Sequence, residues 1–152
     1  MANTYSQIFL QLVFAVENRE SMILEPWRDE LYKYITGAIK NQGCKMLAIG
    51  GMADHIHILI ELSPSVSISA LVQNVKIQSS KWVNENRFCN CRFCWQKGYG
   101  VFSYTKSHVD QVKNYIYNQQ RHHQDKAFRD EYIMMLQRLN IEFNEQYLFK
   151  PI

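Results

Sequence analysis

Residues Ser6 to Val16 read SQIFLQLVFAV, a β-branched and aromatic run long enough for a buried strand. Asn18 and Arg19 open a loop, and Pro26 suits the first turn of a helix. Trp27, Leu31, Ile35 and Ile39 recur every four residues, which predicts an amphipathic helix over Pro26–Asn41, stopped by Gly43. Lys45–Ile49 and His55–Leu62 read as two strands joined by a hairpin turn at Gly50 and Gly51. Ser67 is placed to cap a second helix carrying Ile68, Leu71, Val72, Val75 and Trp82. Gly100–Tyr104 is short and aromatic, a fourth strand; Ser107 can cap a third helix reaching about His122, and Phe128–Leu139 reads as a fourth.

Strand, helix, strand, strand, helix, strand, then two helices is the split β-α-β order of an α+β, ferredoxin-like (RRM-like) antiparallel sheet with helices on one face plus C-terminal helices. The other face of the sheet is expected to be free for binding or catalysis. No repeat, low-complexity tract or linker divides the chain, so residues 1–152 read as one domain, with 1–104 the sheet-bearing core and 105–152 the last two helices.

Composition narrows the picture. The 152 residues, 47% hydrophobic and 20% charged, exclude a disordered or collagen-like chain and can build an ordinary core. No run approaches the length of a membrane helix and the amino terminus is polar, so a cytoplasmic protein is expected, with Cys44, Cys89, Cys91 and Cys94 as reduced thiols. A net charge of +3 names no partner, but it is unevenly spread: from Lys76 to Lys113 seven basic residues face two acidic ones, a local +5.

The most informative stretch is His55-Ile56-His57-Ile58-Leu59-Ile60-Glu61-Leu62. Alternate side chains of a strand share a face. Ile56, Ile58, Ile60 and Leu62 therefore face the helices, and His55 and His57 project together from the opposite face, where two imidazoles could ligate one metal ion and leave it in need of further ligands. The bland alternative is a pair of histidines on an exposed face. The third helix supplies a partner. Tyr115, Gln119 and His122 share one stripe, while Val109, Val112 and Ile116 form an apolar stripe displaced around the axis. Tyr115 and Gln119 thus present a phenol, a candidate nucleophile, beside a neutral oxygen ligand. The alternative is that Tyr115 merely packs. Tyr117 has no glutamine four residues on and is assigned to packing.

A strand-borne H-x-H followed by Tyr-x-x-x-Gln resembles the single-tyrosine HUH transposases of the IS200/IS605 insertion-sequence family. The motifs are Asp54-His55-Ile56-His57, the block Trp95-Gln96-Lys97-Gly98-Tyr99-Gly100-Val101-Phe102-Ser103, and Tyr115-Ile116-Tyr117-Asn118-Gln119. The resemblance implies a transposase that binds hairpin-bearing single-stranded DNA, with Tyr115 as nucleophile forming a 5′-phosphotyrosine and His55, His57 and Gln119 holding Mg²⁺ or Mn²⁺. It also implies a homodimer whose sites can be shared between subunits. Neutral ligands leave a divalent ion its full charge to polarise a phosphate. For DNA contact, Lys76, Lys81, Arg87, Arg92, Lys97 and Tyr99 form a basic set interleaved with Trp82, Phe88, Phe93 and Trp95, a mixture suited to phosphates and unstacked bases. The plain alternative is core aromatics and solvated lysines, and for Trp82 the core is favoured.

Two rivals stand beside this reading. Lys97–Tyr104 nearly satisfies the base-stacking octapeptide of RNA-recognition motifs, which would make the chain a non-catalytic single-strand binder. There, however, the octapeptide lies before the second helix, and here it follows it. Cys89, Cys91 and Cys94, with His108 nearby, could close a structural zinc site, although C-x-C-x-x-C is a weak signal. His122 and His123 are candidates for phosphate binding or proton transfer through adjacency alone.

Overall fold

Strand β1 (Phe9–Ala15) is buried along its whole length because it is central and covered on both sides. The computed structural model describes residues 3–17, 22–119 and 128–138. In these, β1 pairs antiparallel with β3 (His55–Glu61) and β4 (Gly100–Tyr104), and β2 (Lys45–Met52) extends the sheet beyond β3, giving the order β2-β3-β1-β4. Helix α1 (Glu25–Asn41) follows β1, and α2 (Ile68–Glu85) follows β3. This is the ferredoxin-like α+β arrangement that the element order predicts.

The first face of the sheet carries Leu10, Leu12, Phe14, Ile56, Ile58 and Ile60 into one core with Trp27, Leu31, Ile35 and Ile39 of α1 and Leu71, Val72, Val75 and Val83 of α2. The four-residue period of α1 is thus its buried stripe. In α2 the stripe continues through Ser79 and Val83 and leaves Trp82 half-buried, stacked on Tyr34 at 5.0 Å. Ser79 is tolerated there because its hydroxyl donates to the Val75 carbonyl at 2.6 Å and accepts from the Trp95 indole at 2.8 Å. Ser67 caps α2, its hydroxyl accepting from the Ala70 amide at 3.1 Å.

The second face is not left free. Helix α3 (Val109–Tyr117), entered through a 3-10 turn at Lys106–His108, sets Val109, Val112 and Ile116 against Phe9, Ala48 and Leu59. Helix α4 (Phe128–Arg138) sets Tyr132 and Leu136 against Val13, Ala15 and Phe102. Apolar stripes on both helices need cover, and the sheet supplies it. Ser107 does not cap α3. It lies inside the 3-10 turn, where its hydroxyl pairs with Thr105 at 2.9 Å.

Gly50 and Gly51 also differ from the sequence expectation. They lie within β2, and Ala53 and Asp54 form the turn instead. A Cβ on Gly50 would sit 2.5 Å from the Ile116 carbonyl oxygen, and one on Gly100 would sit 2.5 Å from the Tyr132 hydroxyl. The two glycines are the seats on which α3 and α4 approach the sheet. No helix among the described residues is long and apolar enough to cross a membrane.

Candidate active site

The second face of β3 presents His55 and His57, both fully buried, with ring centroids 5.1 Å apart. Across the sheet Ala15 and Met52 flank His55, while Val13 and Gly50 flank His57. Small neighbours and an absent side chain on either side of His57 leave room for what lies above it. That is Tyr115, one residue before the Ile116 anchor, half-buried with its ring perpendicular to His57 at 5.6 Å. Gln119, 1% exposed, lies two residues past the end of α3. Histidines, tyrosine and glutamine therefore meet within a single chain.

The hydrogen bonds give each group a role. His55 Nδ1–H donates to the Asp54 carboxylate at 2.7 Å, so the turn residue just outside the strand orients the ring. His55 Nε2 then faces Gln119 Oε1 at 3.3 Å, and the amide is held in that sense because its Nε2 donates to the Tyr115 carbonyl at 3.3 Å. An imidazole nitrogen and an amide oxygen so placed face one another as two ligands of a shared cation do. A neutral imidazole pair with an amide oxygen is a donor set that suits a divalent first-row ion or Mg²⁺. His57 Nδ1 is paired with Gln11 Nε2 at 2.9 Å, and Gln11 Oε1 accepts from the Tyr104 hydroxyl at 2.8 Å.

Helix α4 adds a carboxyl group close enough to Asp54 to feel its charge. Glu131 is buried, and that burial, with the Asp54 charge adding to it, pushes its carboxyl up to about 7. Neither Gln11 nor Glu131 is apparent as a site residue in the sequence. A single glutamine inside the otherwise apolar run IFLQLVFAV is the one available signal for the first; for the second there is none.

The other predicted residues separate into groups. Tyr117 does not pack: it is 61% exposed, with its hydroxyl 3.4 Å from the Leu47 carbonyl. His122 and His123 lie outside the described residues. Lys76 donates to the carbonyls of Gln96 at 2.9 Å and Gly98 at 2.6 Å, and lies over the Tyr99 ring at 5.9 Å. Its partial burial pulls the ammonium down to about 8. It ties the 96–98 segment to α2. Lys97 and Tyr99 are exposed beside this tie. Lys81, Arg87 and Arg92 line a groove of about 920 Å³ beside the C-terminal half of α2, on the helix side of the sheet and across it from the histidines. Of the interleaved aromatics, Phe93 and Trp95 are core, and Trp82 and Phe88 pack against it.

Cys89, Cys91 and Cys94 line the same groove as free thiols. Among the described residues no three His, Cys, Asp or Glu side chains cluster so as to hold a metal, which counts against a zinc knot of these thiols. The RNA-recognition reading loses ground as well, since Gly100–Tyr104 is an edge strand and Phe102 is buried beneath Tyr132, ring to ring at 6.2 Å.

A ferredoxin-like sheet bearing two oriented imidazoles, with a tyrosine of α3 and a glutamine just past its end brought over them, defines a candidate site for phosphoryl transfer. The family model of IS200-like transposases matches residues 4–119, and the chain belongs to that family. Among solved structures, a candidate transposase from Deinococcus radiodurans R1 is 19% identical with a TM-score of 0.64, covering 78% of this chain and 95% of its own. A REP-associated tyrosine transposase bound to a REP hairpin is 16% identical with a TM-score of 0.61, covering 81% of this chain and 73% of its own. These two likenesses concern the fold. No curated protein matches the chain.

Proposed function

We propose that this transposase binds hairpin-bearing single-stranded DNA and cleaves and rejoins it through a 5′-phosphotyrosine at Tyr115, with Mg²⁺ or Mn²⁺ held by His55, His57 and Gln119. The observation that carries the reading is the convergence in one chain of His55 Nε2 on Gln119 Oε1 at 3.3 Å with the Tyr115 ring against His57 at 5.6 Å. The hairpin carried by the REP-associated neighbour supports the substrate class.

A bound divalent ion supplies Lewis-acid polarisation of the scissile phosphate. The chain's own groups do the rest. Asp54 keeps the proton of His55 on Nδ1, so that Nε2 presents its lone pair as a ligand. Tyr115 Oη loses its proton and forms the bond to phosphorus, while the bond to the 3′ oxygen breaks and that oxygen takes up a proton. The phosphodiester is exchanged for a phosphotyrosine ester of similar energy, so a second 3′-hydroxyl can reverse the step with no nucleotide consumed. Lys81, Arg87, Arg92 and Lys97 hold backbone phosphates and Tyr99 stacks a base; Lys76 supports that segment through its carbonyl bonds. The protein works as a homodimer in the cytoplasm, and the contact between Tyr115 and His57 of the same chain supports a site complete in each subunit.

The test is incubation with hairpin-bearing single strands and Mg²⁺ or Mn²⁺. Wild type forms a denaturation-resistant DNA adduct, and His57→Ala binds the hairpin but forms none. Adduct formation undiminished in His57→Ala, or in the presence of excess chelator, would refute the metal-dependent mechanism.

A further inference from the structure

Gln11 is 1% exposed in a strand that is otherwise apolar and buried on both faces. A buried amide is costly unless its groups are bonded. Both are: Nε2 pairs with His57 Nδ1 at 2.9 Å, and Oε1 accepts from the Tyr104 hydroxyl at 2.8 Å. In this sense of the amide His57 Nδ1 is an acceptor, so the neutral ring carries its proton on Nε2. His55, one strand pleat away, has the opposite tautomer, because the Asp54 carboxylate takes Nδ1–H at 2.7 Å. Two neighbouring histidines of one strand are thus held differently by their partners.

The other end of the chain of bonds is a hydroxyl, which can donate or accept. If the amide turns over, Oε1 accepts from His57 Nδ1–H, and Nε2 donates to Tyr104 Oη. Both arrangements keep the two bonds of Gln11, and they place the His57 proton on opposite ring nitrogens. Burial pushes the Tyr104 phenol up, which keeps it a neutral hydroxyl able to serve either way.

We propose that Gln11 and Tyr104 form a two-position selector for His57: one setting keeps Nε2 protonated in the metal-free protein, and the other frees Nε2 as a ligand when a divalent cation binds. Gln11 is then a positioning residue that acts through His57 and never touches the DNA. The inference rests on the reading of His57 as a ligand, and its first half can be read with no metal present.

The experiment is nitrogen–proton correlation spectroscopy of the full chain with isotope-labelled histidine, without metal and with saturating Mg²⁺, alongside calorimetric titration with Mn²⁺. Metal-free wild type shows His57 protonated on Nε2 and His55 on Nδ1, and Mg²⁺ moves the His57 proton to Nδ1. Gln11→Glu, whose carboxylate only accepts, places that proton on Nδ1 before metal is added. Gln11→Met removes the preference and weakens Mn²⁺ binding about tenfold to a hundredfold, the usual range for partners of metal ligands. Tyr104→Phe, which deletes one half-buried hydroxyl, weakens the Nε2–H preference in a chain whose packing is unchanged. A His57 proton on Nδ1 in metal-free wild type, or a tautomer unchanged in all three variants, overturns the selector. Tautomers that follow Gln11 while Mg²⁺ shifts neither ring overturn the ligand reading and the selector's link to the cation.

Discussion

Alanine at Gly50 would bring a Cβ to 2.5 Å from the Ile116 carbonyl oxygen and 3.1 Å from the Ile116 Cγ2. The obstacle is helix backbone, which cannot rotate out of the way. Ordinary contact begins at 3.4 Å, so the backbone of α3 must retreat by about 0.9 Å. Ile116 is the residue next to Tyr115, and Gly50 faces His57 across the β2–β3 register, so the retreat opens the tyrosine-to-histidine contact at 5.6 Å. Misplacing reacting groups by about 1 Å can cost a hundredfold in rate, and overpacking of this kind costs about 1–3 kcal/mol in stability. Gly50→Ala is therefore expected to fold, to bind a hairpin within a few-fold of wild type, and to form the DNA adduct about a hundred times more slowly in a single-turnover assay. Gly37→Ala is the control. A Cβ there meets nothing within 4 Å inside α1, so it should add about 0.4–1 kcal/mol to stability and leave adduct formation alone. An adduct rate in Gly50→Ala equal to that of Gly37→Ala would refute the idea that this glycine sets the height of the tyrosine helix.

Glu131, raised to about 7 by burial and Asp54, binds a proton in the folded chain that the unfolded chain releases near 4.5. Its contribution is present below pH about 4.5 and is lost as pH rises through about 7, with about 3 kcal/mol as an upper bound. Glu131→Gln should thus flatten the fall in urea-unfolding free energy between about pH 5 and about pH 8; a parallel fall in both proteins would contradict this. Arg87→Ala and Arg92→Ala should each lower the slope of log affinity against log salt by about 0.7 on single-stranded DNA if each holds one phosphate, and an unchanged slope would remove that residue from the DNA contact.

Legibility in the sequence follows from how local each signal is. The alternation in His55–Leu62 is a property of the strand itself, and the observed faces agree with it, Ile56, Ile58 and Ile60 lying in the core shared with α1 and α2. The four-residue repeat of α1 and the Ser67 cap are likewise local. Gly50 and Gly51 misled because a glycine pair normally marks a turn, whereas here the tertiary approach of Ile116 requires Gly50 inside a strand. The second face read as open because strand periodicity does not tell what a later helix will cover. Lys76, Phe93 and Trp95 read as a DNA-binding mixture from proximity in sequence, yet Lys76 is occupied by the Gln96 and Gly98 carbonyls and the two rings are core. Gln11 was hidden for the converse reason: its partners, His57 and Tyr104, are 46 and 93 residues away.

The account stands on Tyr115 as the group that joins to DNA, and the direct measurement is mass-spectrometric mapping of the protease-digested adduct formed with a hairpin-bearing single strand. The 5′-phosphate should be found on Tyr115, and Tyr115→Phe should yield no adduct while Tyr117→Phe still does. A phosphate on Tyr117, or an adduct persisting in Tyr115→Phe, would contradict it.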